Sequence, residues 1–149
     1  MAEKYFNRHE AEELLPVIGQ FLEEARQQKR TLDSIAAEIS NAALRIMMLG
    51  GSLPPLTELN HKKAQRDKVA EQLAGTIDEI QRTGCLVKDL ETGLVDFPSL
   101  RGGEEVYLCW KLGEARIGYW HGIEEGFAGR KPLDDSRPED EPPKSPRLQ

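Results

Sequence analysis

The sequence predicts an α+β fold in which a long antiparallel helical hairpin, coiled-coil-like in pattern, precedes a small antiparallel β-meander. Over residues 8–83, apolar residues recur at alternating spacings of three and four, which places them along one face of a helix. Residues 86–130 instead hold short alternating apolar segments and six of the nine aromatic residues, a pattern typical of strands. We therefore predict a helical hairpin over 1–84, a β module packed on it over 85–130, and a disordered tail rich in proline and acidic residues over 131–149.

The first helix is predicted to begin after Asn7, whose side chain can cap it while Glu10 completes a capping box. Pro16 cannot donate a backbone hydrogen bond and crowds the preceding turn. We therefore expect a short helix from 8 to about 15 that kinks into a longer one. A heptad seam runs through both segments. Its members are Ala11, Leu14, Ile18, Phe21, Ala25, Gln28, Leu32, Ile35, Ile39, Ala42 and Ile46.

A loop is predicted at residues 49–55, where paired glycines and paired prolines break the helical pattern. The second helix is expected to take Thr57 as its N-cap and to run to Thr83, with Gly84 as the residue that stops it. Two long helices joined by a short loop form an antiparallel hairpin. The longer first helix should extend past its partner and pack on the β module.

The β module is predicted to contain four strands, at residues 86–90, 94–97, 106–110 and 115–120. Gly93 can supply the positive φ that a tight turn between the first two strands requires. Residues 99–104 are expected to form a loop around paired glycines. A sheet this small needs a cover, which the helical hairpin can provide.

The turn at 111–114 sets the predicted register of the last two strands. It places Trp110 opposite Ala115, so that Tyr107 and Trp120 lie on the face away from Trp110. If the helices cover only one face, these rings form an exposed aromatic patch and a partner site. Burial under other residues is the alternative, and it is the commoner fate of aromatic rings this dense in sequence.

Composition and charge exclude several classes of protein. The formal net charge is −6 and no segment is strongly basic, which argues against a dedicated nucleic-acid surface. No apolar run approaches the ~20 residues of a membrane span, and the first residues do not resemble a secretory signal. The two cysteines, Cys85 and Cys109, lie in different predicted elements and suit free thiols in a reducing compartment. We expect a cytoplasmic protein that does not bind membranes.

Three strings in the β module resemble a known family. They are V-K-D-L-E-T-G-L-V-D-F-P, E-V-Y-L-C-W-K-L-G-E and I-G-Y-W-H-G-I-E-E-G-F-A-G-R, and the opening Tyr5-Phe6 with Leu14-Leu15-Pro16 is similar as well. Together they resemble family 2203 of the bacterial domains of unknown function, over about residues 5–133. The resemblance implies a prokaryotic cytoplasmic protein without an assigned activity, although some members carry a loose "division initiation" label. It brings no catalytic residues with it.

The residue types around His121 are suitable for a divalent metal or for acid–base chemistry. Glu125 would share a face with His121 if this segment were helical, and imidazole with carboxylate is a reasonable ligand pair. Asp96 could complete such a site, and Cys109 is a softer option. The alternative, favoured by the glycines that flank the glutamates, is that His121 caps the last strand by hydrogen bonding while the carboxylates face solvent.

Arg101, Arg116 and Arg130 are candidates for binding a small anion. Arg101 and Arg130 each adjoin glycines, so guanidinium groups and exposed backbone amides could together hold a phosphate or carboxylate. Pairing with the acidic residues of the same module is the alternative, and the excess of acids there favours it.

The leading prediction is a non-enzymatic interaction or scaffold module that forms a homo-oligomer or binds a protein partner. The heptad seam is longer than a small sheet needs for cover, so its surplus could bury a second copy or another protein. The residues predicted to mediate this interaction are Phe21, Leu32, Ile35, Ile39, Tyr107 and Trp120. No cofactor is predicted under this hypothesis, and a divalent metal belongs to the alternative in which Asp96, His121 and Glu125 form a site.

Overall fold

The computed structural model describes residues 4–49 and 56–133, which form two helices followed by an antiparallel sheet, the predicted α+β architecture. The helices are α1 (Arg8–Met48) and α2 (Leu56–Arg82). The strands, hydrogen-bonded in chain order, are β1 (Leu86–Asp89), β2 (Leu94–Arg101), β3 (Glu104–Lys111), β4 (Tyr119–Gly122) and β5 (Lys131–Pro132). Most of the predicted interhelical loop and the predicted tail beyond Leu133 lie outside the described residues. Within the described ranges, neither helix has the length and apolarity that crossing a membrane requires.

Helix α1 begins where the sequence predicts but continues further than expected. The Glu10 N–H donates to Asn7 Oδ1 (2.7 Å) and the Asn7 N–H donates to Glu10 Oε1 (2.9 Å), so the capping box is present. A separate helix ending near residue 15 is not formed, because α1 runs through Pro16. Leu15 and Ile18 are both buried on either side of the proline, and their packing holds the helix across the hydrogen bond that proline cannot make.

The core lies where the first half of α1 and the end of α2 cover the sheet. From the helices it receives Ala11, Leu15, Ile18, Leu22 and Ile80, and from the rest of the chain Phe6, Cys85, Val95, Phe97, Leu108, Trp110 and Ile117. Phe6 reaches into this core from before α1 and packs edge-on against Phe97, with 5.3 Å between ring centroids. Two hydrogen bonds fix it there, since the Phe6 N–H donates to Pro98 O (2.7 Å) and Phe6 O accepts from Ser99 Oγ (2.6 Å).

The described side chains of the helical hairpin are buried only at the end near the sheet. Among the described residues, no member of α1 after Ala25 and no member of α2 before Leu73 is buried. Helix α2 begins at Leu56, so Thr57 lies in its first turn and is not the N-cap that the sequence predicts. Its end agrees with the prediction, because Gly84 adopts a φ of 107° and its N–H closes the last turn on Gln81 O (3.0 Å).

The first three strands form two tight hairpins. Gly93 has the predicted positive φ, 72°, and its N–H donates to Leu90 O (3.2 Å) in the turn between β1 and β2. The predicted loop over residues 99–104 is wrong. Strands β2 and β3 remain paired from Leu94↔Lys111 to Arg101↔Glu104, so that only two glycines form the turn.

The predicted register of the last hairpin is also wrong. Trp110 does not pair with Ala115; strand β4 begins only at Tyr119, and Leu108 lies opposite Trp120. The intervening residues bond elsewhere, since the Trp110 Nε1–H donates to Glu114 O (2.9 Å) and the Ile117 N–H donates to a carboxylate oxygen of Glu12 in α1 (2.9 Å). These contacts remove residues 114–117 from the ladder.

The observed register decides which residues share a face. Trp120 lies on the same face as Leu108 and Trp110, toward the helices, whereas Tyr107 lies on the other face. The predicted aromatic patch shared by Tyr107 and Trp120 is therefore not formed. The sheet also continues beyond residue 130, the predicted end of the β module. Lys131, in strand β5, pairs with Trp120 in β4.

Candidate functional site

Three chemically reactive side chains meet on the sheet face that the helices do not cover. Asp96 in β2 lies opposite Cys109 in β3, and His121 in β4 is diagonal to Cys109 on the same face. All three are almost fully buried, with 2%, 0% and 3% of their surface exposed. One ligand-type atom from each lies within 4.8 Å of the other two. Three adjacent strands thus hold a carboxylate, a thiol and an imidazole in a fixed arrangement.

The imidazole of His121 is held at both nitrogens. Its Nδ1 lies 2.8 Å from Gly122 O, and its Nε2 lies 3.1 Å from each carboxylate oxygen of Asp96. A carbonyl oxygen can only accept, so Nδ1 carries a proton and donates it. Neither ring nitrogen is left for a substrate, which argues against His121 as a general base in this arrangement.

A short loop lies over this cluster and borders a partly open cavity of about 160 Å³. The loop follows β4 and ends in a 3₁₀ turn at Phe127–Gly129. Its Glu125 does not join the cluster. That carboxylate accepts from the Gly122 N–H (2.8 Å) and from Lys131 Nζ (2.6 Å), and these bonds lower its pKa. The structure thus brings together Asp96 and His121 from the predicted metal set, with Glu125 at the cavity wall and bound to other groups.

Burial governs the protonation of the cluster. Desolvation raises the pKa of the Asp96 carboxyl above its usual range, although the neighbouring His121 opposes the shift. Burial, reinforced by the charge of Asp96, raises the pKa of the Cys109 thiol to about 12. Cys109 is therefore not an activated nucleophile, since such a residue needs a lowered pKa.

Both cysteines should resist a thiol reagent while the protein is folded. Cys85 and Cys109 are fully buried, and their pKa values are raised to about 11 and about 12, so neither presents a thiolate at pH 8. With a chelator present, we expect an aromatic disulfide reagent to leave native protein unmodified over minutes and to modify both thiols in denaturant. Rapid native modification of either cysteine would contradict this placement.

The three arginines of the predicted anion site each bind different partners. Arg101 stacks on Trp120 at 4.9 Å, and Arg116 contacts Glu12 at 3.4 Å. Arg130 makes the strongest set, with two bonds to Glu114 (2.8 and 3.0 Å) and its guanidinium 4.0 Å from the ring centre of Tyr119. Of these contacts, only that of Arg130 with Glu114 pairs an arginine with an acidic residue of the β module, as the alternative to anion binding expects; Arg101 contacts an aromatic ring and Arg116 a residue of α1.

The predicted interaction residues are all half-buried. Phe21 packs at the margin of the core, and Leu32, Ile35 and Ile39 lie further along α1. The remaining two, Tyr107 and Trp120, lie on opposite faces of the sheet and have different contacts. Tyr107 packs edge-on against His121 with 5.5 Å between ring centres, and so it supports the buried cluster.

Comparison with known proteins identifies the family. Residues 4–133 match the family model described as "Uncharacterized conserved protein (DUF2203)". The chain belongs to this family. The predicted resemblance is therefore confirmed for DUF2203, over nearly all of the described chain. Neither a curated protein nor a solved structure matches the chain significantly. The family description names no activity, so the function of this DUF2203 protein must be inferred from its own side chains.

Sequence reasoning identified two members of the cluster and gave the third only a minor place. Cys109 enters the sequence-based prediction only as a softer alternative to the carboxylates, and nothing in its sequence spacing places it next to either partner. The signal that places it is the pairing of β2 with β3, which sets Cys109 opposite Asp96. That pairing begins from the Gly102-Gly103 turn, which the paired glycines mark.

Proposed function

We propose that this DUF2203 protein is a non-enzymatic interaction module that pairs with a second copy of itself. The contact surface is the half of the hairpin far from the sheet, residues 26–48 of α1 with Leu49 after it and residues 57–72 of α2, here called the distal hairpin. The observation that carries the proposal is a mismatch between pattern and burial. The apolar seam continues to Ile46, whereas burial among the described residues ends at Ala25 in α1.

Two helices alone cannot enclose the seam of the distal hairpin. Leu32, Ile35 and Ile39 remain half-buried, because α2 faces this region with a sparse set of apolar residues that Lys62 and Arg66 interrupt. Helical bundles usually bury such a seam with further helices. A second hairpin packed on the first would complete a four-helix arrangement and remove these side chains from water.

The end of the distal hairpin offers both a groove and residues to fill one. A cavity of about 300 Å³ lies between α1 and α2, with Ala42, Ile46 and Leu59 among its apolar walls. Beside it protrude Leu44, Met47 and Met48, with 55%, 78% and 77% of their surface exposed, and Leu49, 62% exposed, lines the cavity itself. Because groove and protrusions lie at the same end, two copies related by a two-fold axis can exchange them. Methionines suit such a contact, since they adapt to the surface they meet.

The charges around the groove are mixed, which favours a self-complementary contact. Arg45 and Lys62 border it together with Glu58, and Lys62 Nζ lies 3.4 Å from Glu38. Opposite charges on one patch can pair with the same patch turned around. A reducing compartment such as the cytoplasm accords with the two buried free thiols.

Leu44→Glu is expected to dissociate the pair without unfolding the chain. Full burial of a leucine contributes about 1.5–3 kcal/mol, and Leu44 is 55% exposed but occurs twice in the dimer, so its two copies together contribute about that much. Since each 1.4 kcal/mol is tenfold in affinity, we expect dimerisation to weaken by about 10–100-fold. Light scattering coupled to size exclusion, over a range of concentrations, should give about twice the chain mass of 16.8 kDa for the unmodified protein. The variant should give the single mass at the same concentrations.

Leu100→Glu is the matched control, because Leu100 is similarly exposed (42%) but lies in the sheet. It should leave the dimer intact. A monomer at every concentration for the unmodified chain would overturn the proposal, as would equal dissociation by both variants. Substitution of Leu32 or Ile39 is a poorer test, since both also pack within the hairpin and would mix folding with association.

A further inference from the structure

The buried cluster of Asp96, Cys109 and His121 plays no part in the proposed pairing, which involves the opposite end of the molecule. Its three side chains come from three neighbouring strands and converge on one point beneath the loop that follows β4. A carboxylate, a thiol and an imidazole are costly to bury side by side unless their charges are matched. The cluster therefore needs a physical reason for its position.

The proton on Nδ1 of His121 determines what the opposite ring nitrogen, Nε2, can bind. Because Nδ1 donates to Gly122 O, the neutral ring has only a lone pair at Nε2, and this lone pair faces both oxygens of Asp96 at 3.1 Å. Two acceptors at that distance repel unless a proton or a metal cation lies between them. The Cys109 thiol, whose sulfur lies within 4.8 Å of both other ligand atoms, brings a third donor atom to the same place.

We propose that Asp96, Cys109 and His121 bind a divalent transition metal of the zinc class. Nitrogen and sulfur ligands favour zinc and its neighbours over magnesium or calcium, and one carboxylate oxygen, also a zinc ligand, completes a set of three. Zinc bonds of about 2.0–2.3 Å in a tetrahedron separate the ligand atoms by about 3.3–3.6 Å. The three ligand atoms all lie within 4.8 Å of one another, so each pair needs to approach by at most about 1.5 Å to reach that geometry.

The surroundings of the cluster match those of a metal site. Histidine ligands usually donate their second ring N–H to a carbonyl or carboxylate, and this bond fixes the ring. His121 donates its Nδ1–H to Gly122 O in this way. The cavity of about 160 Å³ touches both Asp96 and His121, and it gives the metal a fourth position for water or a small ligand. Tyr107 packs against the imidazole and limits its rotation.

Charge and protons balance on binding. Two protons leave to solvent: Cys109 S–H gives up its proton and becomes a thiolate, and the proton held between His121 Nε2 and Asp96 is released, so that Asp96 contributes its carboxylate and His121 a neutral nitrogen. The two negative ligands neutralise a divalent cation. The cation also reverses the sign of the local field, which otherwise disfavours the thiolate beside Asp96.

Cobalt substitution tests the proposal with a signal specific to the thiolate. The full chain, without a polyhistidine tag, is stripped with a chelator and titrated with Co²⁺ and separately with Zn²⁺. We expect one metal per chain and a sulfur-to-cobalt charge-transfer absorption band. Cys109→Ser should abolish that band and weaken Zn²⁺ binding by at least about tenfold, since even outer groups of metal sites contribute that much.

Cys85→Ser is the matched control, because Cys85 is equally buried but bonds to Ile80 O and Thr83. It should keep the band and the stoichiometry. Asp96→Asn, of unchanged shape, should weaken binding as Cys109→Ser does, with circular dichroism confirming that each variant folds. The proposal fails if the unmodified chain shows no charge-transfer band, or if both cysteine variants lose it equally. Loss in Glu125→Gln with retention in Cys109→Ser would also overturn this ligand set.

Discussion

Phe97→Ala is expected to lower the free energy of unfolding by about 3–5 kcal/mol, as large-to-small changes of buried aromatic residues do. Phe97 is fully buried at the centre of the core and its ring packs edge-on against Phe6. Its removal leaves a cavity and also loosens the segment before α1, which depends on that ring. Urea unfolding followed by circular dichroism measures the change.

Leu100→Ala serves as the control for this substitution. Leu100 lies three residues further along the same strand but is 42% exposed, so we expect a loss of less than about 1 kcal/mol. Equal losses for the two variants would show that Phe97 is not the centre of the core. A small loss for Phe97→Ala would point to a loosely packed sheet.

Gly93→Ala is expected to cost about 2–5 kcal/mol, from about 1–2 for a positive φ and about 1–3 for overpacking. The φ of Gly93 is 72°, and a Cβ added there would lie 2.5 Å from Leu112 Cβ. The clash involves the root of a side chain whose backbone N–H also donates to Gly93 O (2.9 Å), so neither residue can easily retreat. The midpoint of thermal unfolding should fall accordingly.

Gly102→Ala separates the two contributions. Gly102 has a similar φ, 59°, but no heavy atom lies within 4 Å of the position its Cβ would take. We expect this variant to show only the backbone cost of about 1–2 kcal/mol. If the two alanine variants are equally stable, the contact between Gly93 and Leu112 has no energetic importance.

Local patterns predicted the parts of the fold that local interactions determine. The 3–4 spacing gave both helices, Asn7 and Glu10 gave the capping box, and Gly84 and Gly93 marked a helix end and a turn. The continuation of α1 through Pro16 was not predictable in this way. It depends on the burial of side chains against a sheet that forms much later in the sequence.

Long-range hydrogen bonds explain the error in the last hairpin. The expected register assumed that the chain after Trp110 would turn directly back on β3. Instead Glu12, about a hundred residues away, accepts the N–H of Ile117, and Arg130 holds Glu114 in its turn. No spacing rule within residues 106–120 contains this information.

The candidate metal site likewise combines what residue types alone can predict with what only long-range strand pairing determines. The residue types of His121 and Asp96 predict a metal site, and the strand register brings the two side chains together. The prediction for Glu125 depends on a helix that would place it on the same face as His121, but the segment forms a short loop in which Glu125 bonds to Lys131. Cys109 joins the cluster through strand pairing, which becomes clear only when the sheet is assembled.

The order of the strands also determines how one molecule can meet another. In the part of the chain that the structure describes, the outermost strands are β1 and β5. Strand β1 has four residues and an irregularity between Val87 and Asp89, and β5 has two residues that end in Pro132, which has no N–H to offer. Short, irregular and proline-ended edges are the features by which sheets avoid growth into fibrils or strand exchange. The described edges of the sheet are thus poor sites for strand pairing between molecules, which is consistent with the pairing through the helices that we propose.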